Sequence, residues 1–352
     1  MRRTSTGRCA WPEVLLRGPR PCYPAPLDLA GKALAKTQPK EVADVPRLKK
    51  RDPWMHKGDA GRVFCVAGSA GMVGAAVLCS RAALRSGAGL VRVGMPWRLA
   101  AVLAGRDPNI MTAALPETEE GTISAMAPAK ILEALKGYDV LLIGPGLSTN
   151  PQTVQAIRTL LPQVEQKLVI DADAITAIAK DPGEVLLKLR KSADKPVLTP
   201  HPGEMQRLLG SATQGPLDLQ RDEGARKSVA GSFAQKYGVV AVLKGHRTVV
   251  SDGERIYVNT TGNPGMAKAG TGDVLAGVIA AMRAQGFGAW EAAVLGVYLH
   301  GLAGDLTRDR MGEIGMIASD MIEGLPEATR RHQAASEVAG QSGRRTAIKA
   351  QA

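Results

Sequence analysis

The chain has 352 residues, of which 45% are hydrophobic and 40 are glycine, a composition typical of a compact α/β protein with many tight turns. Aromatic residues make up only 3%, which argues against a nucleic-acid surface built from stacked aromatic side chains. The net charge of +12 lies at the ends: residues 1–51 carry +8, residues 330–352 carry +4, and residues 52–329 are neutral. The charge therefore predicts no nucleic-acid binding by the body of the chain, and leaves only the two basic tails as candidates for it.

The same features divide the chain into three parts. We expect residues 1–50 to form a basic, proline- and glycine-rich extension that is partly disordered, with the ordered body starting near His56. Residues 51–329 are expected to form one large domain, and residues 330–352 a polar, disordered tail. No apolar run approaches the roughly 20 residues that span a membrane, so we expect no membrane association. The four cysteines lack metal-ligand spacing, which favours a reducing, cytoplasmic location.

Short apolar strands alternate with helical patterns through the body. Strands are predicted at 62–68, 90–93, 138–143, 168–170, 197–198 and 239–243, with a hairpin over 248–258; helices are predicted at 73–86, 152–161, 223–237, 273–285, 289–307 and 316–323. Fully apolar strands that alternate with helices predict an α/β fold with a mostly parallel central sheet covered on both faces. Ligands bind such sheets at the carboxyl ends of the strands, where the polar motifs of this sequence fall.

Residues 263–277 (NPGMAKAGTGDVLAG) form a glycine-rich stretch that leads directly into an apolar helix pattern. The amides of Gly270, Thr271 and Gly272 are candidates for an anion hole, because glycine permits close approach of a ligand and a helix N-terminus attracts anions. Asp273 has two interpretations. It is either a helix cap worth about 1 kcal/mol, or a general base beside a phosphate-binding loop, where a hydroxyl loses its proton as it attacks phosphorus.

The turns after three earlier strands carry further candidates. Residues 68–75 (GSAGMVGA) lack the spacing of a dinucleotide fingerprint and the acid expected about 20 residues later, so we interpret them as a substrate-facing turn. Residues 144–148 (GPGLS) are either a plain tight turn or part of the site. Asp171 and Asp173 suit magnesium held through water, and we take Asp171 as the functional carboxylate and Asp173 as the cap of the next helix.

Two later turns complete the set. Residues 199–204 (TPHPGE) place His201 between two prolines, which fix the backbone and favour ligand contact by the imidazole. Glu204 is either a cap partner or a metal contact. The turn that closes the next strand is either an exposed hairpin turn or a cradle for nucleotide phosphates; it consists of Lys244, Gly245, His246, Arg247 and Thr248.

Together these motifs resemble those of the ADP/ATP-dependent NAD(P)H-hydrate dehydratases, a branch of the ribokinase-like superfamily. The matching segments lie in order along about residues 50–325: HKGDAGRVFCVAGSAGMVGAA (56–76), AALRSGAGLV (82–91), LLIGPGL (141–147), VIDADA (169–174), LTPHPGEMQRL (198–208), LKGHRTVV (243–250) and NPGMAKAGTGDVLAG (263–277). The set is highly specific, whereas GTGD alone is shared with other ribokinase-like enzymes.

The resemblance implies a ribokinase-like three-layer α/β/α fold and repair of hydrated nicotinamide cofactors. Such enzymes remove water from (6S)-NADHX or (6S)-NADPHX, consuming a phosphoryl group of ADP or ATP, with Mg²⁺ bridging the phosphates. ADP is the typical donor of bacterial members, and a homotetramer is a frequent assembly. By motif, Asp273 would activate the C6 hydroxyl; the hydrated cofactor would contact Ala75, Gly146, His201 and Asp273, and the adenine nucleotide would contact Lys244 to Thr248 and Gly272.

Two departures and two alternatives remain at this point. The first 50 residues are too few for the epimerase domain that some family members carry, and Lys268 stands where the family often has threonine. The nearest alternative is a ribokinase-like kinase of a thiamin-precursor alcohol, which would share GTGD but lack the TPHPGE turn. From another class, the chain could be a non-catalytic nucleotide-binding module, against which an intact Asp273 argues.

Overall fold

The computed structural model describes residues 39–48, 50–189, 194–210 and 218–349, with side chains up to residue 335; the predicted disorder of residues 1–38 lies outside this range. The strands are β1 (Lys40–Glu41), β2 (Arg62–Val66), β3 (Leu90–Pro96), β4 (Met111–Leu115), β5 (Val140–Ile143), β6 (Lys167–Ile170), β7 (Val197–Leu198), β8 (Val240–Leu243), β9 (Val249–Ser251) and β10 (Arg255–Val258). The helices are α1 (Val73–Arg85), α2 (Trp97–Ala104), α3 (Ala127–Leu135), α4 (Pro151–Leu160), α5 (Ala172–Ile178), α6 (Pro182–Leu189), α7 (Pro202–Leu209), α8 (Glu223–Tyr237), α9 (Thr271–Ala284), α10 (Ala289–Met311) and α11 (Ala318–Lys349).

All these strands join one sheet, in the order β1-β10-β9-β8-β7-β6-β5-β2-β3-β4. Strand β9 is antiparallel to both of its neighbours, and every other neighbouring pair is parallel. The reversed strand belongs to the predicted β9–β10 hairpin, whose turn is held by Asp252 as it accepts hydrogen bonds from the amides of Glu254 and Arg255. The prediction of a mostly parallel sheet is confirmed.

Successive residues of the central strands face opposite layers of the core. In β2, Val63 and Cys65 pack with the layer that contains α1, α9 and α10. Phe64 and Val66 pack with the layer that contains α3, α4 and α8. Because both faces are covered, these strands are apolar along their length rather than alternating with polar residues. The result is the predicted three-layer α/β/α arrangement.

The ordered body starts earlier than the sequence predicts. Strand β1 pairs with β10, and Val42, Val45 and Leu48 pack against the core. The expectation of a loose lead-in up to about residue 55 is therefore wrong for residues 39–48. The sequence did not predict these contacts because the three apolar residues are isolated among charged residues and prolines. No period-2 or helical pattern therefore forms.

The C-terminal segment also differs from its prediction. Helix α11 continues to Lys349, where we expected a disordered tail from residue 330. The segment is polar but rich in alanine and arginine, which favour a helix, so its polarity was a poor guide to its secondary structure. Although α10 and α11 have 23 and 32 residues, no helix in the described part of the chain is both long and apolar enough to cross a membrane.

Candidate active site

Five neighbouring strands bring the predicted motifs to one edge of the sheet. Strands β8, β7, β6, β5 and β2 lie side by side and are parallel, so their carboxyl ends meet. Each is followed by one of the motifs: 244–248 after β8, 199–204 after β7, 171–173 after β6, 144–148 after β5 and 68–75 after β2. Motifs up to about 170 residues apart in the sequence thereby form one edge of the fold, as such sheets require of a ligand site.

The glycine-rich stretch starts helix α9 at this edge. Gly270 has φ +89° and occupies the N-cap position, so the helix begins at Thr271 and Asp273 lies in its first turn. The interpretation of Asp273 as the cap is therefore wrong, and the first amides of α9 have no partner within the helix. The positive φ of Gly270 favours glycine, and a Cβ there would lie 2.5 Å from Leu78 Cδ1 and would have to displace the end of that side chain.

Lys244 forms the centre of a buried charge cluster. Its Nζ lies 2.7 Å from Asp171 Oδ1 and 3.8 Å from Glu204 Oε2. A Cβ built on Gly272 would lie 3.4 Å from the same Nζ, which places the ammonium beside the start of α9. Burial alone would lower the pKa of Lys244, but Asp171 and Glu204 outweigh burial and raise it, so the lysine is charged.

Two carboxyl groups near this lysine titrate close to neutrality. The pKa of Asp273 is raised to about 7, first by burial and then by the negative charge of Asp171, while Lys244 opposes the shift. Burial likewise raises the pKa of Glu204 to about 7, against the effect of Lys244. Near pH 7 a substantial fraction of Asp273 is therefore ionised, and a weakly basic carboxylate has become a stronger base, as proton abstraction from a hydroxyl requires.

His201 is the N-cap of helix α7. Its Nδ1 accepts hydrogen bonds from the amides of Gly203 and Glu204, and the Glu204 side chain accepts one from the His201 amide, which together form a capping box. The cap-partner interpretation of Glu204 is confirmed. Burial, with Lys244 and Arg207 nearby, lowers the pKa of His201, so the ring is neutral at pH 7 with its proton on Nε2. The ring is half exposed, and its Nε2 lies 3.4 Å from Glu204 Oε1.

The turns after β2 and β5 pack against each other. A Cβ on Gly146 would lie 2.9 Å from Ala75 Cβ and 3.0 Å from Met72 O, so the two predicted substrate contacts, Ala75 and Gly146, are neighbours. The Ser69 hydroxyl reinforces the contact by donating to Gly146 O at 2.8 Å. Neither motif is a plain surface turn.

Asp173 has a different role from the predicted one. Its Oδ2 accepts a hydrogen bond of 2.8 Å from the amide of Ser148, and the N-cap position of α5 belongs to Asp171. The expectation that Asp173 caps the helix is wrong, because the positive φ of Ser148 turns that amide toward the carboxylate. Asp173 thereby connects the turn after β5 to the Asp171–Lys244 pair.

The turn at 244–248 runs beside the His201 turn. The amide of Lys244 donates to Pro200 O at 2.9 Å, and the Thr248 hydroxyl donates to Gly245 O at 3.1 Å. Arg247 has φ +57° and forms an ion pair of 2.6 Å with Glu223 of α8. Gly245, His246 and Arg247 are exposed. The turn therefore presents backbone and a lysine at the inner end and solvent-facing residues at the outer end.

Three supporting residues were not predicted. His300 of α10, buried and with its pKa lowered to about 4 by burial, lies 3.0 Å by Nε2 from Thr271 O and holds the first turn of α9. Asp305 accepts hydrogen bonds from the Gly262 amide and the Asn263 side chain, which fixes the start of the glycine-rich stretch. Lys268 donates to Ile314 O at 2.8 Å. His300 and Asp305 carry no local sequence signal, since each acts across the fold, and Lys268 was noted only as a departure from the family pattern, without this contact.

The residues predicted for a metal fit magnesium held mainly by phosphate groups. Asp171 Oδ2 is buried without a hydrogen-bond partner, while Oδ1 is occupied by Lys244. No group of three or more histidine, cysteine, aspartate or glutamate side chains is arranged to hold a metal ion within the described ranges. One free carboxylate oxygen suits a contact through water rather than direct chelation, because Mg²⁺ retains several waters beside substrate phosphates.

This fold and this edge define a ribokinase-like α/β protein. A ribokinase-like superfamily protein from Enterococcus faecalis has a TM-score of 0.68 and 29% identity, over 86% of this chain and 99% of that one. An ADP/ATP-dependent NAD(P)H-hydrate dehydratase from Bacillus subtilis, co-crystallised with ATP and Mg²⁺, has a TM-score of 0.65 and 29% identity, over 81% and 95%. A family model for NAD(P)H-hydrate dehydratase matches residues 63–327. The chain belongs to the NAD(P)H-hydrate dehydratase family.

Curated relatives agree with this assignment. The bifunctional NAD(P)H-hydrate repair enzyme Nnr of Moorella thermoacetica is 45% identical over 286 residues, which is 81% of this chain and 52% of that enzyme. The enzyme of the same name from Thermofilum pendens is 39% identical over 292 residues, 82% of this chain and 54% of that one. The chain thus spans about half the length of the curated relatives it matches.

Proposed function

We propose that the protein is a nucleotide-dependent NAD(P)H-hydrate dehydratase that converts (6S)-NADHX and (6S)-NADPHX to NADH and NADPH. The observation that carries the proposal is the placement of Asp273. It lies in the first turn of α9, has a pKa near 7, and shares a buried cluster with Lys244. Family membership supplies the substrate class, and the cluster supplies a base next to an anion-binding helix N-terminus.

The first step is phosphorylation of the substrate hydroxyl. Asp273 removes the proton of the C6 hydroxyl as its oxygen attacks the terminal phosphorus of the nucleotide, and the shortened nucleotide leaves. The amides of Gly270, Thr271 and Gly272, together with the Lys244 ammonium, stabilise the charge that develops on the transferred group. The aspartate pKa near 7 suits this role because the proton moves only as the bond to phosphorus forms.

The second step is elimination of phosphate. Hydroxide is a poor leaving group and phosphate is a good one, so the phosphorylated carbon loses phosphate as the ring nitrogen donates its electron pair. Loss of a ring proton then gives the dihydronicotinamide, and the overall change is the loss of water. Ala75, Gly146 and the Nε2 proton of His201 form the wall that we propose for the hydrated nicotinamide.

The nucleotide lies along residues 244–248 in this proposal, with Gly272 at its phosphate end. Mg²⁺, when bound, would supply positive charge to the nucleotide phosphates, and Asp171 and Glu204 would hold it through water. We propose ADP as the preferred donor, in line with bacterial members of the family. A homotetramer and a cytoplasmic location complete the proposal; the buried free thiols of Cys65 and Cys79 support a reducing compartment.

The test is a product analysis with purified protein, chemically prepared NADHX, Mg²⁺ and either ADP or ATP. Chromatography measures NADH and the released nucleotide. We expect NADH to form with ADP, accompanied by an equal amount of AMP. Phosphorylation of hydroxyethylthiazole or hydroxymethylpyrimidine without any NADH would assign the kinase of thiamin-precursor alcohols instead. Nucleotide binding without turnover of any of these substrates would identify the protein as a non-catalytic nucleotide-binding module.

A further inference from the structure

Arg226, in the first turn of α8, is a buried cation without partners at two of its donors. The residue is 2% exposed, and its Nε and Nη1 atoms are buried and lack hydrogen-bond partners. Buried polar groups are nearly always hydrogen-bonded, and an unsatisfied charged donor is costlier than a neutral one. Burial also lowers the pKa of Arg226, against the opposing effect of Glu223. Two guanidinium donors of Arg226 can therefore bind an acceptor supplied by a ligand.

The neighbouring acid is already committed to other cations. Glu223 Oε1 lies 3.0 Å from Lys227, and Glu223 Oε2 lies 2.6 Å from Arg247. Both oxygens of this carboxylate therefore have a cation in contact. The negative charges of Glu223 and Asp222 lie near Arg226, but they do not outweigh the effect of its burial.

The guanidinium lies directly beneath the turn at 244–248. A Cβ built on Gly245 would lie 2.9 Å from Arg226 Nη1, so a larger residue there would have to displace the guanidinium. Gly245 is itself exposed, with φ +151°. The turn therefore carries no side chain at the position that faces this nitrogen.

We propose that Arg226 is an anion ligand of the nucleotide site and binds the phosphate chain of ADP or ATP. The inference rests on the proposed function, which places the nucleotide along residues 244–248. The planar guanidinium presents donors that match two phosphate oxygens, and the missing side chain of Gly245 lets anion and cation approach. The bound phosphate supplies the acceptors that Nε and Nη1 lack. The hydrated dinucleotide also carries phosphates, so the experiment must separate the two sources.

The experiment compares wild type with Arg226→Met, which removes the charge and keeps an unbranched apolar chain. The matched control is Arg221→Met, at an exposed position in the turn before α8. Calorimetric titrations use ADP, adenosine and NADPH, the last as a probe of the dinucleotide site. We expect the Kd for ADP to rise about 10-fold or more in Arg226→Met, with adenosine and NADPH unchanged, because a charge-assisted contact is lost. Arg221→Met should bind all three like wild type.

Thermal unfolding without ligand separates a binding role from a structural one. An arginine that holds the fold would lower the Tm when replaced, whereas Arg226→Met should keep or raise the Tm, because the two buried donors have no partners to lose. Arg226→Lys keeps the charge without the planar fork and should fall between wild type and Arg226→Met in ADP affinity. Unchanged ADP affinity in both variants, or a loss confined to NADPH, would overturn the inference. Failure of wild type to bind ADP would instead refute the proposed function itself.

Discussion

The protonation states of the carboxyl groups at the candidate site depend on how close they lie to Lys244 and to one another. Asp273, Glu204 and Asp171 surround Lys244, and one ammonium cannot neutralise three carboxylates. Burial makes the excess negative charge costly, so the pKa values of Asp273 and Glu204 are raised to about 7. The cluster therefore holds a base whose state changes within the physiological pH range.

This shift predicts the acid limb of the pH–rate profile. A base acts only when deprotonated, so kcat should fall about tenfold per pH unit below about pH 7, as Asp273 takes up a proton. Steady-state rates of NADH formation at saturating ADP would measure the profile. ADP affinity, titrated over the same pH range, is the control for loss of binding. A limb near pH 4, the ordinary range of an aspartate, would contradict the role of burial and of Asp171.

The Lys244–Asp171 pair predicts a stability pattern. Lys244→Met leaves Asp171, which is 1% exposed, as an uncompensated buried carboxylate and should lower the free energy of unfolding by about 3 kcal/mol. The double variant Asp171→Asn with Lys244→Met removes both charges and should regain at least about half of that loss. Urea unfolding of the two variants and wild type would measure this. Equal instability of the single and double variants would show that the charge is not the cause.

At the scale of elements, the start of α9 predicts a matched pair of glycine variants. Gly270 and Gly286 have nearly the same φ, +89° and +90°, but only Gly270 has neighbours where a Cβ would lie. Gly286→Ala should cost about 1 kcal/mol through the backbone angle alone. Gly270→Ala adds a collision with Leu78, should cost about 1 kcal/mol more, and should lower kcat about tenfold by displacing the first turn of α9. Full activity in Gly270→Ala would contradict the assigned role of this helix start.

The sequence predicts some elements well and others poorly, for identifiable reasons. Buried strands such as β5 and β8 are continuous apolar runs between turn residues, and β9–β10 has an Asp-Gly turn, so all three were predicted. Strand β4 was not predicted because, as an edge strand, it alternates exposed and buried residues over a short, weakly patterned segment. Helices α2, α3 and α6 were not predicted, and α5 and α7 were predicted only as helix starts near Asp173 and Glu204, because all five are short, at 7 to 9 residues.

The residues of the candidate site likewise divide into those that the sequence predicted and those that it did not. Residues in glycine-, proline- or acid-rich turns, such as His201 and Asp273, were predicted because the turn itself is unusual in sequence. Arg226, His300 and Asp305 were not, because each lies in an ordinary helical pattern and its position depends on packing across the fold. The Asp173 cap was predicted wrongly because a carboxylate beside a helix start has many possible partners, and Ser148 lies 25 residues away.

At the scale of the whole molecule, the N-terminal boundary gives a further test. Residues from Thr37 onward form one compact unit, in which β1 extends the sheet and His332 Nε2 lies 2.9 Å from Pro46 O. The protein without residues 1–36 keeps this whole unit and is the reference. Removing residues 1–50 also deletes β1 together with Val42, Val45 and Leu48, which pack against the core, and should lower the free energy of unfolding relative to that reference by about 2–4 kcal/mol. Equal stability of the two truncated proteins would show that β1 contributes nothing.

The fold as a whole explains why one aspartate can carry the reaction. The parallel strands gather five turns at one edge, and the α9 N-terminus, which carries Asp273, joins them. Asp273 thereby comes near Lys244, although the two residues lie on different elements. His300 of α10 contacts Thr271 O and so supports the first turn of α9, which carries Asp273. The account therefore depends most on Asp273 as the group that takes the hydroxyl proton.

The most direct measurement is the rate of NADH formation, followed by the near-ultraviolet absorbance of the reduced nicotinamide, for wild type and Asp273→Asn with NADHX, Mg²⁺ and ADP. Asparagine keeps the size of the side chain but cannot accept the proton. We expect a loss of roughly 100- to 10,000-fold in kcat, with ADP affinity and the Tm close to those of wild type. Wild-type turnover in Asp273→Asn would contradict the account, because another group would then have to be the base.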